Sequence, residues 1–140
     1  MLIVDASVAI KWFKQEHDSP LAELVPLTDA LTAPEFMLAE LCNAGWKAFR
    51  RGLLTAAQAD AIPAAVRPYL AQLHPLEPLA SRAVVVARAL DHPVYDCFYL
   101  ALAEREAVPL VTADARLLAK LEGTPWAAHV RGLASFGPTP

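Results

Sequence analysis

Two short apolar runs, each followed closely by an aspartate and a helical pattern, constrain the fold of this chain most. The first is Leu2–Val4, followed by Asp-Ala-Ser and by apolar residues at helical spacing. The second spans residues 109–112 and is followed by Ala-Asp and by Leu117, Leu118 and Leu121 on one helical face. Continuously apolar runs are typical of strands covered on both faces, as in parallel sheets. The sequence therefore predicts two strand–turn–helix units.

The same alternation of short strands and helices continues through the rest of the chain. We predict further strands at 31–33, 73–77 and near 130, and helices at 36–51, 80–90 and 94–106. Gly52 is expected to end the helix at 36–51. Thr55 with Gln58 forms a capping box for a following helix that Pro63 kinks or divides. The pattern indicates a three-layer α/β/α sandwich with a mostly parallel central sheet and right-handed crossovers.

Length and composition fit one domain over residues 1–140, with a short tail expected to fray from about 133. Hydrophobic residues make up 56% and charged residues 19%, which excludes a disordered chain. The net charge of −3 gives no uniform basic surface. Cys42 and Cys97 lie in apolar helical runs and are expected to be reduced core thiols. No apolar run is long enough to span a bilayer, and Asp5 interrupts the first too early for a signal peptide, so we expect a cytoplasmic protein.

Four of the fifteen acidic residues stand in apolar surroundings. Asp5 and Asp114 each follow a predicted strand, Glu40 lies within FMLAEL, and Asp96 begins the apolar helix YDCFYLALA. Ligands of open α/β sheets bind beyond the carboxyl ends of the strands, where two of these acids are expected. Burying an isolated carboxylate is costly unless something charged pairs with it. These four residues are therefore the candidates for a functional site.

Each of the four acids also has a structural interpretation. Asp5 and Asp114 suit helix N-caps, Asp96 suits the first turn of a helix, and Glu40 suits a boundary position that reaches water. A bound divalent cation explains all four together, because Mg²⁺ and Mn²⁺ prefer carboxylate oxygens and would offset their mutual repulsion. Zinc is disfavoured, since the four histidines are scattered and no His-Cys cluster is present. The five glycines form neither a dinucleotide-binding nor a phosphate-binding loop.

Four motifs in this order, over essentially the whole chain, resemble the PIN domain and in particular the VapC-type toxins of prokaryotic toxin–antitoxin pairs. They are MLIVDAS, APEFMLAEL, YDCFYLALAE and LVTADARL. The resemblance implies a PIN-like α/β/α fold and an endoribonuclease that depends on Mg²⁺ or Mn²⁺. It assigns catalysis and metal binding to Asp5, Glu40, Asp96 and Asp114, and hydroxyl groups that orient acids or water to Ser7 and Thr112. Asp114 occupies the most variable of the acidic positions, so it is either a direct ligand or a residue that supports the ligands.

The resemblance further implies an RNA substrate, such as tRNA or another structured RNA, a cognate antitoxin protein and a homodimer. Local cations would have to rim the acidic site, and the candidates are Lys11, Lys14, Lys47, Arg50, Arg51 and Arg116. Two other classes remain open at this point. One is a non-catalytic PIN-like module that binds metal or RNA, and the other is a metal-dependent nuclease for DNA or a phosphatase with the same acids.

Overall fold

Five parallel strands form the centre of the molecule in a computed structural model that describes residues 1–139. The strands are β1 (Leu2–Val4), β2 (Leu31–Pro34), β3 (Leu70–His74), β4 (Leu110–Thr112) and β5 (Val130–Gly132), in the spatial order β3-β2-β1-β4-β5. Leu2 lies opposite Leu31, and Ile3 lies opposite Leu110. The strand β1 is therefore central, with a parallel neighbour on each side.

Seven α-helices connect the strands within residues 1–139. They are α1 (Ala6–Ala9), α2 (Ser19–Thr28), α3 (Phe36–Arg50), α4 (Ala56–Val66), α5 (Glu77–Leu90), α6 (Val94–Glu106) and α7 (Ala115–Leu121). Because parallel crossovers are right-handed, this strand order places α1–α4 against one face of the sheet and α5–α7 against the other. The predicted three-layer α/β/α sandwich with a parallel sheet is confirmed. No helix in this part of the chain combines the length and apolar character needed to cross a membrane.

The core joins both faces of the sheet to the helices. All residues of β1, β2 and β4 are buried, as expected for strands covered on both sides. Helix α6 buries five consecutive residues, from Tyr99 to Ala103, and is therefore enclosed on all sides along that stretch. This enclosure places Asp96, in the first turn of α6, at the edge of the core.

Three expectations from the sequence differ from the structure. Helix α4 runs through Pro63 and is not divided there; Pro63 lies on its exposed side, where its ring meets no core packing. The third strand begins at Leu70 rather than near 73, since β3 is an edge strand whose exposed residues dilute the apolar pattern. The prediction that Cys42 is a core thiol is wrong, because α3 turns it to solvent, whereas Cys97 is buried as expected. The capping box of Thr55 is confirmed.

Candidate active site

The candidate site lies at the carboxyl ends of β1 and β4. The chain leaves β1 toward β2 and leaves β4 toward β5, which lie on opposite sides of the sheet. The strand order therefore reverses between β1 and β4, and open α/β sheets bind ligands in the crevice formed at such a point. Asp5 directly follows β1, and Thr112 is the last residue of β4.

Both carboxylate oxygens of Asp5 accept hydrogen bonds from the surrounding backbone and hydroxyls. Oδ1 accepts from Ser7 Oγ at 2.5 Å and from the amide of Val8 at 3.2 Å, and Oδ2 accepts from Thr112 Oγ1. Only 7% of Asp5 is exposed. Burial raises the pKa of Asp5 to about 6, the three donors oppose that rise, and the charge of Asp96 adds to it. Asp5 thus caps α1, as one interpretation of the sequence held, while remaining a buried carboxylate.

Ser7 and Thr112, the two hydroxyl residues singled out in the sequence, join the ends of β1 and β4. Their oxygens lie 3.3 Å apart, and each also donates to Asp5. Ser7 Oγ accepts from the amide of Ala113 at 2.9 Å, and Thr112 Oγ1 accepts from the amide of Asp114 at 3.1 Å. The two hydroxyls therefore fix the orientation of the Asp5 carboxylate.

Glu40, one turn inside α3, faces Asp5 and α6. Its Oε1 accepts a hydrogen bond of 2.5 Å from the hydroxyl of Tyr99, which is 1% exposed. Burial raises the pKa of Glu40 to about 7, the Tyr99 hydroxyl opposes that rise, and the negative charges of Asp5 and Asp96 add to it. Burial and the same three acids raise the pKa of Tyr99 well above its usual value, so Tyr99 is a neutral donor. Three acids from three elements therefore share one electrostatic environment.

Asp96 comes to this environment from the first turn of α6. Its Oδ2 lies 2.7 Å from Nε2 of His92, which precedes the helix. Tyr99 follows Asp96 by three residues, so both side chains lie on the same side of α6. Asp96 is half-buried and its charge acts on both Asp5 and Glu40.

Asp114 has a different position. Its Oδ1 accepts from the amides of Arg116 at 2.9 Å and Leu117 at 3.2 Å, which makes it the N-cap of α7. It is joined to Asp5 only through Thr112, whose hydroxyl bonds both residues. The structure thus brings Asp5, Glu40 and Asp96 together and places Asp114 beside them as a helix cap.

A cavity of about 260 Å³ opens beside these acids. Glu40 lines it together with Ser7, Asn43 and Lys47, and the remaining lining residues are apolar. Asn43 and Lys47 follow Glu40 by three and seven residues along α3, so the three side chains project from one side of the helix. The cavity therefore connects Glu40 to the exposed surface of α3.

The donors present here fit a divalent cation by their chemistry. Three carboxylates offer hard oxygen atoms. Burial, with a smaller contribution from the neighbouring acids, raises the pKa values of Asp5 and Glu40, and a bound cation would oppose that rise. Within residues 1–139, however, no three His, Cys, Asp or Glu side chains are arranged as a ready set of metal ligands. The acids are instead held by hydrogen bonds from Tyr99, Ser7 and Thr112 and by the contact with His92.

Sequence reasoning missed Tyr99, His92 and Asn43. Tyr99 was hidden in an apolar run, although a hydroxyl three residues after Asp96 is within reach of the same helix face. His92 stands four residues before Asp96, a spacing that pointed to the contact. Asn43 lies three residues after Glu40, about one helical turn away. The spacing relative to the acids was the available indication in all three cases.

Comparison with known proteins gives a family and several similar structures. The PIN domain family model matches residues 2–123. No curated protein sequence matches the chain. The crystal structure of PAE2754 from Pyrobaculum aerophilum is similar with a TM-score of 0.70 and 25% identity, covering 96% of this chain and 84% of that one.

Two further similar structures contain toxins. A toxin–antitoxin complex from Klebsiella pneumoniae gives a TM-score of 0.65 at 17% identity, covering 95% of this chain and 98% of that one. VapC20 of Mycobacterium tuberculosis, described as a toxin that cleaves the sarcin–ricin loop, gives 0.67 at 16% identity, covering 85% and 94%. At these identities the likeness concerns the fold. The family model covers most of the chain and includes every candidate acid, and we conclude that this protein belongs to the PIN domain family.

Proposed function

We propose that this protein is a metal-dependent endoribonuclease that acts as the toxin of a toxin–antitoxin pair. One observation carries the proposal: Asp5, Glu40 and Asp96, from three separate elements of a PIN domain, come close enough that the charge of Asp96 acts on Asp5 and the charges of both act on Glu40. Folding such a cluster costs free energy, which a bound cation would recover.

In this proposal, Asp5, Glu40 and Asp96 hold one or two Mg²⁺ or Mn²⁺ ions. When bound, such ions polarise the phosphodiester and lower the pKa of a water molecule that attacks it. Ser7 and Thr112 keep the Asp5 carboxylate in one orientation, and Tyr99 does the same for Glu40. Attack by water, rather than by the ribose 2′-hydroxyl, leaves a 5′-phosphate and a 3′-hydroxyl.

The remaining site residues have supporting roles in this proposal. His92 orients Asp96 through the 2.7 Å contact. Asp114 caps α7 through Oδ1 alone, and its second oxygen is the atom we assign to positioning the attacking water or completing the ligand set. The role of His92 rests on its contact with Asp96. The role of Asp114 rests on its link to Asp5 through the hydroxyl of Thr112.

The toxin role rests on the family and on the two similar structures that contain toxins, one of them in complex with an antitoxin. We propose a cognate antitoxin as a protein partner, a homodimer as the assembly, RNA as the substrate and the cytoplasm as the site of action. A structured RNA such as tRNA is the first substrate to test, because one similar toxin is described as cleaving the sarcin–ricin loop.

A non-catalytic module that binds metal or RNA is the second candidate function. It is favoured by the fact that within residues 1–139 the acids form hydrogen bonds with neighbours and not a ready set of three metal ligands. A DNA-directed nuclease uses the same acids and differs only in the substrate. Both alternatives are arms of the experiment below.

The test is cleavage of labelled tRNAs, a sarcin–ricin stem-loop and matched DNA strands by purified protein in Mg²⁺, Mn²⁺ or EDTA. We expect RNA cleavage in either metal, none in EDTA, and none with Asp5→Asn or Asp96→Asn. Glu23→Gln, which removes the same charge from an exposed position on α2, is the matched control and should cut like the wild type.

Each outcome of this assay separates the candidates. Products ending in a 2′,3′-cyclic phosphate would contradict attack by water. Preferential cutting of DNA would favour the DNA-directed nuclease. Full activity of Asp5→Asn, or RNA binding by the wild type with no cleavage of any substrate in either metal, would reject the proposed ribonuclease.

A further inference from the structure

Five of the six cations that were candidates to rim the acidic site fall into two groups in the structure, and the sixth, Arg116, is exposed on α7. Lys11 Nζ lies 2.9 Å from Asp18 Oδ1 and also contacts Glu16, while Lys14 Nζ lies 2.6 Å from Glu16 Oε1. These two lysines are therefore neutralised by acids of their own segment. They are poorly placed to bind a further anion, because they would have to release the carboxylates first.

The second group lies at the carboxyl end of α3, and its positive charges are not paired with carboxylates in the part of the chain that the structure describes. Lys47, Arg50 and Arg51 form no salt bridge with any residue of the described 1–139. With Trp46 they line a cavity of about 350 Å³. The guanidinium carbon of Arg50 lies 5.0 Å from the centre of the Trp46 ring, and 49% of Trp46 is exposed. Three of the twelve cations of an acidic chain are thus gathered around one exposed aromatic ring.

This basic end of α3 is continuous with the acidic site. Lys47 lines the cavity that holds Glu40 and Asn43, and it also lines the cavity formed with Trp46 and Arg50. Residues 40, 43, 47 and 50 are separated by three or four positions, so they form one stripe along the helix. At 1.5 Å per residue, the stripe extends about 15 Å from Glu40 to Arg50.

We propose that a single-stranded stretch of RNA next to the cleaved bond lies along this stripe of α3. The cleaved phosphodiester lies at Glu40, neighbouring phosphates contact Lys47 and Arg50, and one unpaired base stacks on Trp46. The inference rests on the proposed function, because it takes the acids as the point of cleavage. Cations that follow the backbone, combined with an aromatic ring on which bases stack, are the features by which proteins hold single strands.

A second copy of this chain fits the stripe less well than RNA does. A symmetric dimer contact centred on Lys47, Arg50 and Arg51 would oppose one group of three free cations to another. A polyanion, in contrast, gains from every one of these charges through counterion release. Charge complementarity therefore favours nucleic acid as the occupant.

The test measures binding, with cleavage suppressed by EDTA. The probes are a short fluorescein-labelled oligouridine and an RNA duplex of the same length, titrated with the full-length protein at several salt concentrations. The Lys47→Ala/Arg50→Ala variant is compared with Lys120→Ala/Arg88→Ala, which removes the same two side-chain types from exposed positions on α7 and α5. Circular dichroism first establishes that each variant is folded.

We expect the Lys47→Ala/Arg50→Ala variant to reduce the slope of log affinity against log salt by about 1.4, because each phosphate contact to a single strand contributes about 0.7. The Lys120→Ala/Arg88→Ala control should keep the wild-type slope. Trp46→Leu should weaken oligouridine binding about tenfold at an unchanged slope, as expected for the loss of one stacked base, and should leave duplex binding as it was.

Three results would overturn the inference. The first is an equal change of the salt slope in both double variants, and the second is an equal effect of Trp46→Leu on the affinities for oligouridine and for duplex. The third is an oligomer that dissociates in the Lys47→Ala/Arg50→Ala variant while the RNA affinity of that variant equals that of the wild type. The last would assign the surface to a protein contact. Failure of the proposed ribonuclease is read separately, because it is decided by cleavage in the presence of metal and not by this binding measurement.

Discussion

Replacing Thr112 by valine tests how the end of β4 supports the buried carboxylate of Asp5. Valine keeps the shape of threonine and removes the hydroxyl that donates to Asp5 Oδ2. A hydrogen bond to a charged group contributes about 1.5–3 kcal/mol, and one between neutral groups about 0.5–1.5 kcal/mol. Because the pKa of Asp5 is about 6, the acceptor is charged at high pH and neutral at low pH. The loss in free energy of unfolding should therefore be larger at about pH 8 than at about pH 5, by roughly 1 kcal/mol.

Urea unfolding in EDTA at the two pH values gives this difference directly. Thr32→Val is the matched control, because Thr32 is also fully buried in a central region of the sheet and donates to a neutral acceptor, the carbonyl of Gln72, at 2.9 Å. Its cost should be the same at both pH values. A cost of Thr112→Val that does not change with pH, or that changes as much as that of Thr32→Val, would refute the assigned role of the hydroxyl.

Three further predictions concern Tyr99, Asp5 and Gly52. Tyr99→Phe removes the hydroxyl that donates to Glu40, so it should raise the pKa of Glu40 further and destabilise the protein at about pH 8 by roughly 1.5–3 kcal/mol. Urea unfolding measures this loss, and an equal loss well below pH 7 would contradict a hydrogen bond to a charged carboxylate. Without metal, folding raises the pKa of Asp5 from 3.8 to about 6, so the free energy of unfolding should fall by about 3 kcal/mol as pH rises through this interval. Thermal melts over this pH range should show the fall in the wild type and much less of it in Asp5→Asn. Gly52→Ala should cost about 1 kcal/mol in thermal unfolding, because Gly52 has φ +72° after α3; an unchanged melting temperature would refute this.

The sequence was sufficient to predict those elements whose apolar pattern is strong. Helix α6 begins after the predicted break at His92-Pro93 and ends at Glu106, as the apolar run predicts. Strands β1 and β4 were evident because both of their faces are covered. The edge strand β3 was misplaced by about three residues, since exposed positions carry little pattern. Cys42 was assigned to the wrong face of α3 because its neighbours in sequence are apolar, whereas its helical phase turns it outward.

The candidate site was predictable where an acidic residue stands in an apolar stretch of sequence. Acids in apolar surroundings pointed to Asp5, Glu40 and Asp96, which the structure brings into one environment. The bond between Tyr99 and Glu40 joins residues 59 positions apart, and it depends on how α6 packs near α3. No local pattern encodes such a contact.

The central claim is that the fold gathers Asp5, Glu40 and Asp96 into a site for a divalent cation. Calorimetric titration of the wild-type protein with Mn²⁺ at about pH 8, where the raised pKa values leave the acids largely ionised, tests it most directly. We expect saturable binding that Asp5→Asn and Asp96→Asn abolish or strongly weaken and that Glu23→Gln leaves intact. Absence of binding to the wild type, or equal binding by Asp5→Asn and Glu23→Gln, would contradict the claim.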